Sequence, residues 1–134
     1  MHALKPLRPA SKAEAFVRLQ DITDLAELWL EGSLTALAAQ PEACQVATQL
    51  ASEATETAVG CSRSYISDPT ASNAASAGEW IYRAAAAWTL AKNRMAQQRA
   101  TAEVWMRVLS VWADSLEVAI SYATGGEPPA QSPS

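Results

Sequence analysis

The chain has 134 residues, is 49% hydrophobic and carries a formal net charge of −4. That length suits one domain, large enough to bury a core without disulfide or metal staples. A mildly acidic balance argues against general nucleic-acid binding, which needs clustered Lys and Arg to neutralise phosphates.

Residues 1–11 read as a flexible arm. Lys5, Pro6, Arg8 and Pro9 interrupt any apolar run there, so no secretory leader is expected. No stretch approaches the roughly 18 apolar residues of a transmembrane helix. Two cysteines without a leader then read as reduced thiols in a cytoplasmic protein.

Ser11-Lys-Ala-Glu14 is a capping box and predicts a helix start. Phe16, Leu19, Thr23, Ala26, Leu30, Ser33 and Leu37 then recur in alternating steps of three and four, one stripe of an amphipathic helix. Ile22, Leu25 and Trp29 widen it. Gly32 weakens this helix by about 1 kcal/mol relative to Ala but need not end it. Pro41 ends it and suits the first turn of a second helix, expected from about Pro41 to Ser67.

The second helix has Cys44, Ala47, Ala51, Ala54, Ala58, Cys61 and Tyr65 along its stripe. Nearly all are small, so a partner helix can approach closely and large side chains must fill the seam. Asp68-Pro69 opens a break, and residues 68–78 read as a loop or weak helical turn before a second capping box, Ser76-Ala-Gly-Glu79.

From Glu79 to about Thr124 the chain has neither Gly nor Pro. As one helix this segment would be roughly 65–70 Å long. Its seam, Trp88, Ala91, Met95, Gln98, Ala102, Trp105, Leu109, Trp112, Leu116, Ala119 and Ala123, keeps heptad spacing, the mark of coiled-coil-like packing. A break near 97–101 would turn three helices into four, although nothing local forces one. Gly125-Gly126 supplies a C-cap, and residues 125–134 read as a disordered tail. The expected fold is therefore all-α: an antiparallel bundle of three long amphipathic helices over 12–124, or four if the last one breaks.

Charge is unevenly spread. Asp21, Asp24, Glu27, Glu31, Glu42, Glu53 and Glu56 occupy 19–62 without a Lys or Arg, whereas Arg83, Lys92, Arg94, Arg99 and Arg107 face one acid, Glu103, between 83 and 107. The expected arrangement is an acidic hairpin beside a basic helix, with a basic face for an anionic partner as the alternative.

Catalytic machinery is not expected. The single histidine, His2, lies in the arm, so no Ser-His or Cys-His pair and no Glu-x-x-His metal motif can form. Glu27/Glu31, Glu53/Glu56 and Asp114/Glu117 have the spacing of ordinary solvated helix faces. Cys44 and Cys61 lie about 25 Å apart along one helix and cannot pair within it. They read as structural thiols, or as an intermolecular disulfide across an antiparallel dimer. No catalytic residue, cofactor or metal ligand is assigned.

Trp29, Trp80, Trp88, Trp105 and Trp112 are many for this length, and most lie on the last predicted helix. They suit core or interface packing first, with a ligand pocket or an apolar adsorbing face as alternatives. Self-association through the seam residues Trp88, Met95, Trp105, Leu109, Trp112 and Leu116 is the favoured contact.

The Ala- and Gln-rich, glycine-free stretch Ala84–Ala123 and the Pro-started second helix at Leu37–Pro41–Glu42 resemble phasins, the small helical proteins that coat polyhydroxyalkanoate granules. The resemblance covers about 12–124 and carries over no individual residue. It implies a non-enzymatic surfactant that oligomerises through coiled-coil contacts. A homo-oligomer or a hydrophobic granule surface is then the expected partner. The alternative is a specific protein-binding module: an immunity protein, a small chaperone or an accessory subunit of a larger complex. A basic partner would suit the acidic stretch 21–56.

Overall fold

A computed structural model describes residues 9–37, 42–94 and 99–124. They form four helices: α1 Lys12–Leu37, α2 Glu42–Ser67, α3 Ala71–Arg94 and α4 Arg99–Ala123. No strand occurs among the described residues. Residues 1–8, 38–41, 95–98 and 125–134 lie outside them, and with them most of the expected arm over 1–11, Pro41, the Gly125-Gly126 cap and the tail.

Local chemistry sets the helix starts. The Glu14 amide donates to Ser11 Oγ at 3.1 Å, and the Glu14 carboxylate accepts from the Ala10 amide at 2.6 Å. The capping box thus forms, with its return bond reaching one residue further back than the simple motif. At α3 the cap is Thr70, whose Oγ1 accepts from the Asn73 amide at 3.1 Å. The helix therefore begins eight residues before Glu79. Ser76 and Gly78, expected to precede it, lie inside it. Asn73 also anchors the turn, its Nδ2 donating to the Asp68 carbonyl at 2.9 Å.

Each helix packs against two others: α1 against α2 and α4, and α3 against α2 and α4. The neighbours run antiparallel. Between α1 and α4, Trp105 Nε1 donates to Ser33 Oγ at 3.4 Å, and at the other end Tyr122 Oη donates to the Pro9 carbonyl at 2.8 Å. Between α3 and α4, Lys92 meets Glu103 at 3.4 Å near one end, while Leu116 closes on Gly78 toward the other. The result is an up-down-up-down four-helix bundle.

The expected single helix over 79–124 is thus two helices. Trp88 and Trp105 would be about 25 Å apart along one continuous helix, yet their ring centroids lie 5.6 Å apart. Folding back lets the seam close on itself. An unbroken rod would leave three Trp faces in water until a partner arrived, and each large aromatic buries some 150–250 Å².

The core follows the predicted stripes. Leu19, Thr23, Ala26 and Leu30 are buried on α1, and Ala51, Ala58 and Tyr65 on α2. The α2 centre line is more polar than expected, because Thr48, Ser52, Thr55 and Ser62 are buried too. Two of these hydroxyls are satisfied within the helix: Thr55 Oγ1 donates to the Ala51 carbonyl at 2.7 Å and Thr48 Oγ1 to that of Gln45 at 3.3 Å. Ala51 and Ala58 of α2 and Ala77, Ala84 and Ala91 of α3 are all buried, and α2 packs against α3. Small side chains let these two backbones come close.

Candidate interaction surface

The tryptophan seam turns inward. Trp88, Trp105, Leu109, Trp112 and Leu116 are all buried within the one chain, and the Met95 side chain lies outside the described residues. Trp88 stacks on Trp105 with an interplanar angle of 7°. Trp29 meets Trp105 edge-on, with centroids 6.0 Å apart. Trp88 Nε1 donates to Thr55 Oγ1 at 3.0 Å, so the α2 hydroxyl satisfies an indole that would otherwise lose its hydrogen bond on burial. Trp112 Nε1 and Ser62 Oγ are buried with no hydrogen-bond partner among the described residues. The stacked rings of Trp88 and Trp105, with Trp112, are part of the core, while Leu109 and Leu116 of the same seam also border the α3–α4 groove.

The surface available for contacts lies on the outer faces of the helices. Between α3 and α4 runs a groove of about 470 Å³. Ile81, Tyr82 and Ala85 line it from α3, and Met106, Leu109 and Ile120 from α4. Tyr82 is 75% exposed, the most accessible of the large apolar side chains described. Gly78 keeps part of the floor open: a Cβ there would meet only Leu116 Cδ2, at 3.8 Å. Asp114 and Glu117 lie along the α4 wall. A second apolar strip follows the outside of α1, where Val17, Leu25, Leu28 and Trp29 are exposed.

Sequence reasoning did not single out the groove. Its α4 wall, Met106, Ser110, Ala113, Glu117 and Ile120, follows each core position by one residue in steps of four and three. The periodicity was there to be found, but its mixed polarity hid it from a search for apolar stripes.

The acidic α1–α2 hairpin packs beside α4 and α3, and part of its charge is met within the hairpin itself. Asp24 and Glu27 of α1 are both met by Arg63 of α2, with Asp24 at 2.9 Å. Arg63 lies just past the acidic stretch, and α2 side chains lean toward that helix's N-terminus, which brings the guanidinium along α1. Arg83 pairs within α3 with Glu79 at 2.6 Å and lies over the Trp80 ring, 4.7 Å from its centroid. Hydrogen bonds to Glu27 and Asp24 raise the Arg63 pKa further.

Cys61 is a half-buried free thiol. Desolvation, and secondarily the Glu79 charge, push its pKa above the ordinary value. The protonated form is the inert one toward oxidation and alkylation. The Cys44 side chain lies outside the described residues. Among the described residues, no three His, Cys, Asp or Glu side chains are grouped to hold a metal ion, and no helix is long and apolar enough to cross a membrane.

No protein-family model, curated protein or solved structure matches the chain.

Proposed function

We propose that this protein is a non-catalytic binding module: a four-helix bundle that completes its core within one chain and engages a protein partner through an outer helix face. The observation that carries this reading is the closure of the tryptophan seam. With Trp88, Trp105 and Trp112 buried in the single chain, the fold does not need a second copy to cover them. The apolar α3–α4 groove then supplies contact area on a rigid frame. Pre-formed sites on packed helices lose little freedom on binding, which favours affinity.

A phasin-like coat on an apolar surface is the second reading. The exposed strip of Val17, Leu25, Leu28 and Trp29 along α1 favours it, because such a face can lie on a hydrophobic surface.

The two readings part in an emulsion of an inert oil in buffer. A binding module stays in the aqueous phase with its near-ultraviolet circular dichroism unchanged, since its Trp rings keep their packing. A coat protein partitions to the oil and alters that signal. Partition to the oil would overturn the module in favour of the coat.

A further inference from the structure

The α3–α4 groove combines an apolar trough with an unbalanced charge at its edge. On α3 the lining runs from Ala74 to Tyr82 and Ala85, and on α4 from Met106 to Ile120. At 1.5 Å per residue each wall is roughly 17–21 Å long, the length of three to four turns of helix. Asp114 and Glu117 are exposed and have neither ion-pair nor hydrogen-bond partner among the described residues. By contrast Glu103, near the start of the same helix, is held by Lys92.

Any occupant of the trough brings these two carboxylates into a drier environment. A partner with acidic or uncharged flanks would leave them desolvated and unmatched. One with Lys or Arg beside its apolar anchors would match them and be steered toward them. A second copy of this chain fits poorly. The chain carries a net charge of −4, and groove-to-groove pairing would bring four such carboxylates together.

We propose that the α3–α4 groove docks an amphipathic helix of a partner protein, with apolar anchors at i, i+4 and i+7 set between Tyr82 and Met106 and a flanking Lys or Arg facing Asp114 and Glu117. This names the partner chemistry of the binding module proposed above and rests on that reading.

The test uses the full chain and a synthetic helical peptide of about 14 residues, three to four turns, with leucines at i, i+4, i+7 and i+11 and lysines on both flanks. A matched peptide with glutamates in place of the lysines is the control. Anisotropy of a labelled peptide reads affinity, and amide chemical shifts map the site. The lysine peptide is expected to bind and to shift amides of α3 and α4 around Tyr82 and Met106. Its affinity falls at least tenfold in the Asp114→Lys plus Glu117→Lys variant, which then prefers the glutamate peptide. Ala113→Trp, at an exposed position that fills the trough, abolishes binding of both.

Equal affinity for the two peptides, shifts confined to α1, or no change on charge reversal would overturn the groove assignment. So would self-association of the chain that Tyr82→Glu abolishes, because the occupant would then be a second copy. Loss of the groove assignment leaves the module itself standing if the protein still avoids the oil phase.

Discussion

The indole rings of Trp88 and Trp105 lie nearly parallel with centroids 5.6 Å apart, although they stand seventeen positions apart in the sequence. They belong to two antiparallel helices, and the stack is the contact that makes the C-terminal half a hairpin. Trp29 closes the cluster from α1, and Thr55 from α2. All four helices therefore meet around one pair of rings.

Truncating either ring removes a large fully buried side chain from the centre of the bundle. Trp105→Ala is expected to cost about 3–5 kcal/mol in urea unfolding. The same change at Trp88 should cost a similar amount. Because the rings touch, the double variant should be less destabilised than the sum of the singles, by about 0.5–1.5 kcal/mol. Strict additivity would show that the stack contributes nothing beyond area.

Trp88 and Trp112 are both buried but differ in polar partnership. Trp88 Nε1 has Thr55 Oγ1 at 3.0 Å, while Trp112 Nε1 has no partner among the described residues. Trp→Phe deletes the same atoms at each site. At position 88 it also breaks a hydrogen bond, whereas at 112 it removes a donor that burial leaves unmatched. Trp88→Phe should thus cost about 1–2 kcal/mol more than Trp112→Phe by chemical denaturation.

Gly32 and Gly60 sit within helices, and a Cβ at either would meet nothing within 4 Å. Gly32→Ala and Gly60→Ala should each stabilise the protein by about 0.5–1 kcal/mol, read as a rise in Tm. A fall would mean that these positions do not hold helical backbone.

Tyr65 is buried against Phe16, and burial pushes its phenol pKa above the ordinary 10.0. The neutral form is favoured in the folded state. Its contribution is therefore whole below pH 10.0 and is lost as pH rises through the raised folded value. Urea midpoints followed from neutrality to about pH 11 should fall more steeply for the natural chain than for Tyr65→Phe. Parallel curves would remove Tyr65 as a source of alkaline sensitivity.

Much of this fold can be read from residue spacing, and what cannot has physical causes. The heptad line through Trp88, Trp105, Leu109, Trp112 and Leu116 marks core positions whether a helix is continuous or folded back, so spacing locates the seam without saying what covers it. No Gly or Pro stands between Arg94 and Arg99 to announce a reversal. The start of α3 was masked by a rival capping box at Ser76, although Thr70 directly after Asp68-Pro69 is an equally good cap. Thr48 and Thr55 of α2 escape an apolar search because hydroxyls that bond a carbonyl one turn back pack as small core residues. The groove lay in register beside the core line, but Ser110 and Glu117 broke its apolar pattern.

The central claim is that the tryptophan seam closes within one chain. The most direct measurement is the distance between spin labels at Ala75→Cys on α3 and Glu117→Cys on α4, with Cys44 and Cys61 replaced by Ser. The labelled chain is diluted into unlabelled protein, so that only distances within a molecule register. Antiparallel neighbours with axes about 8–10 Å apart predict a separation near 20 Å. A distance of roughly 60 Å, as a continuous helix requires, would contradict the fold-back and return the seam to an intermolecular role.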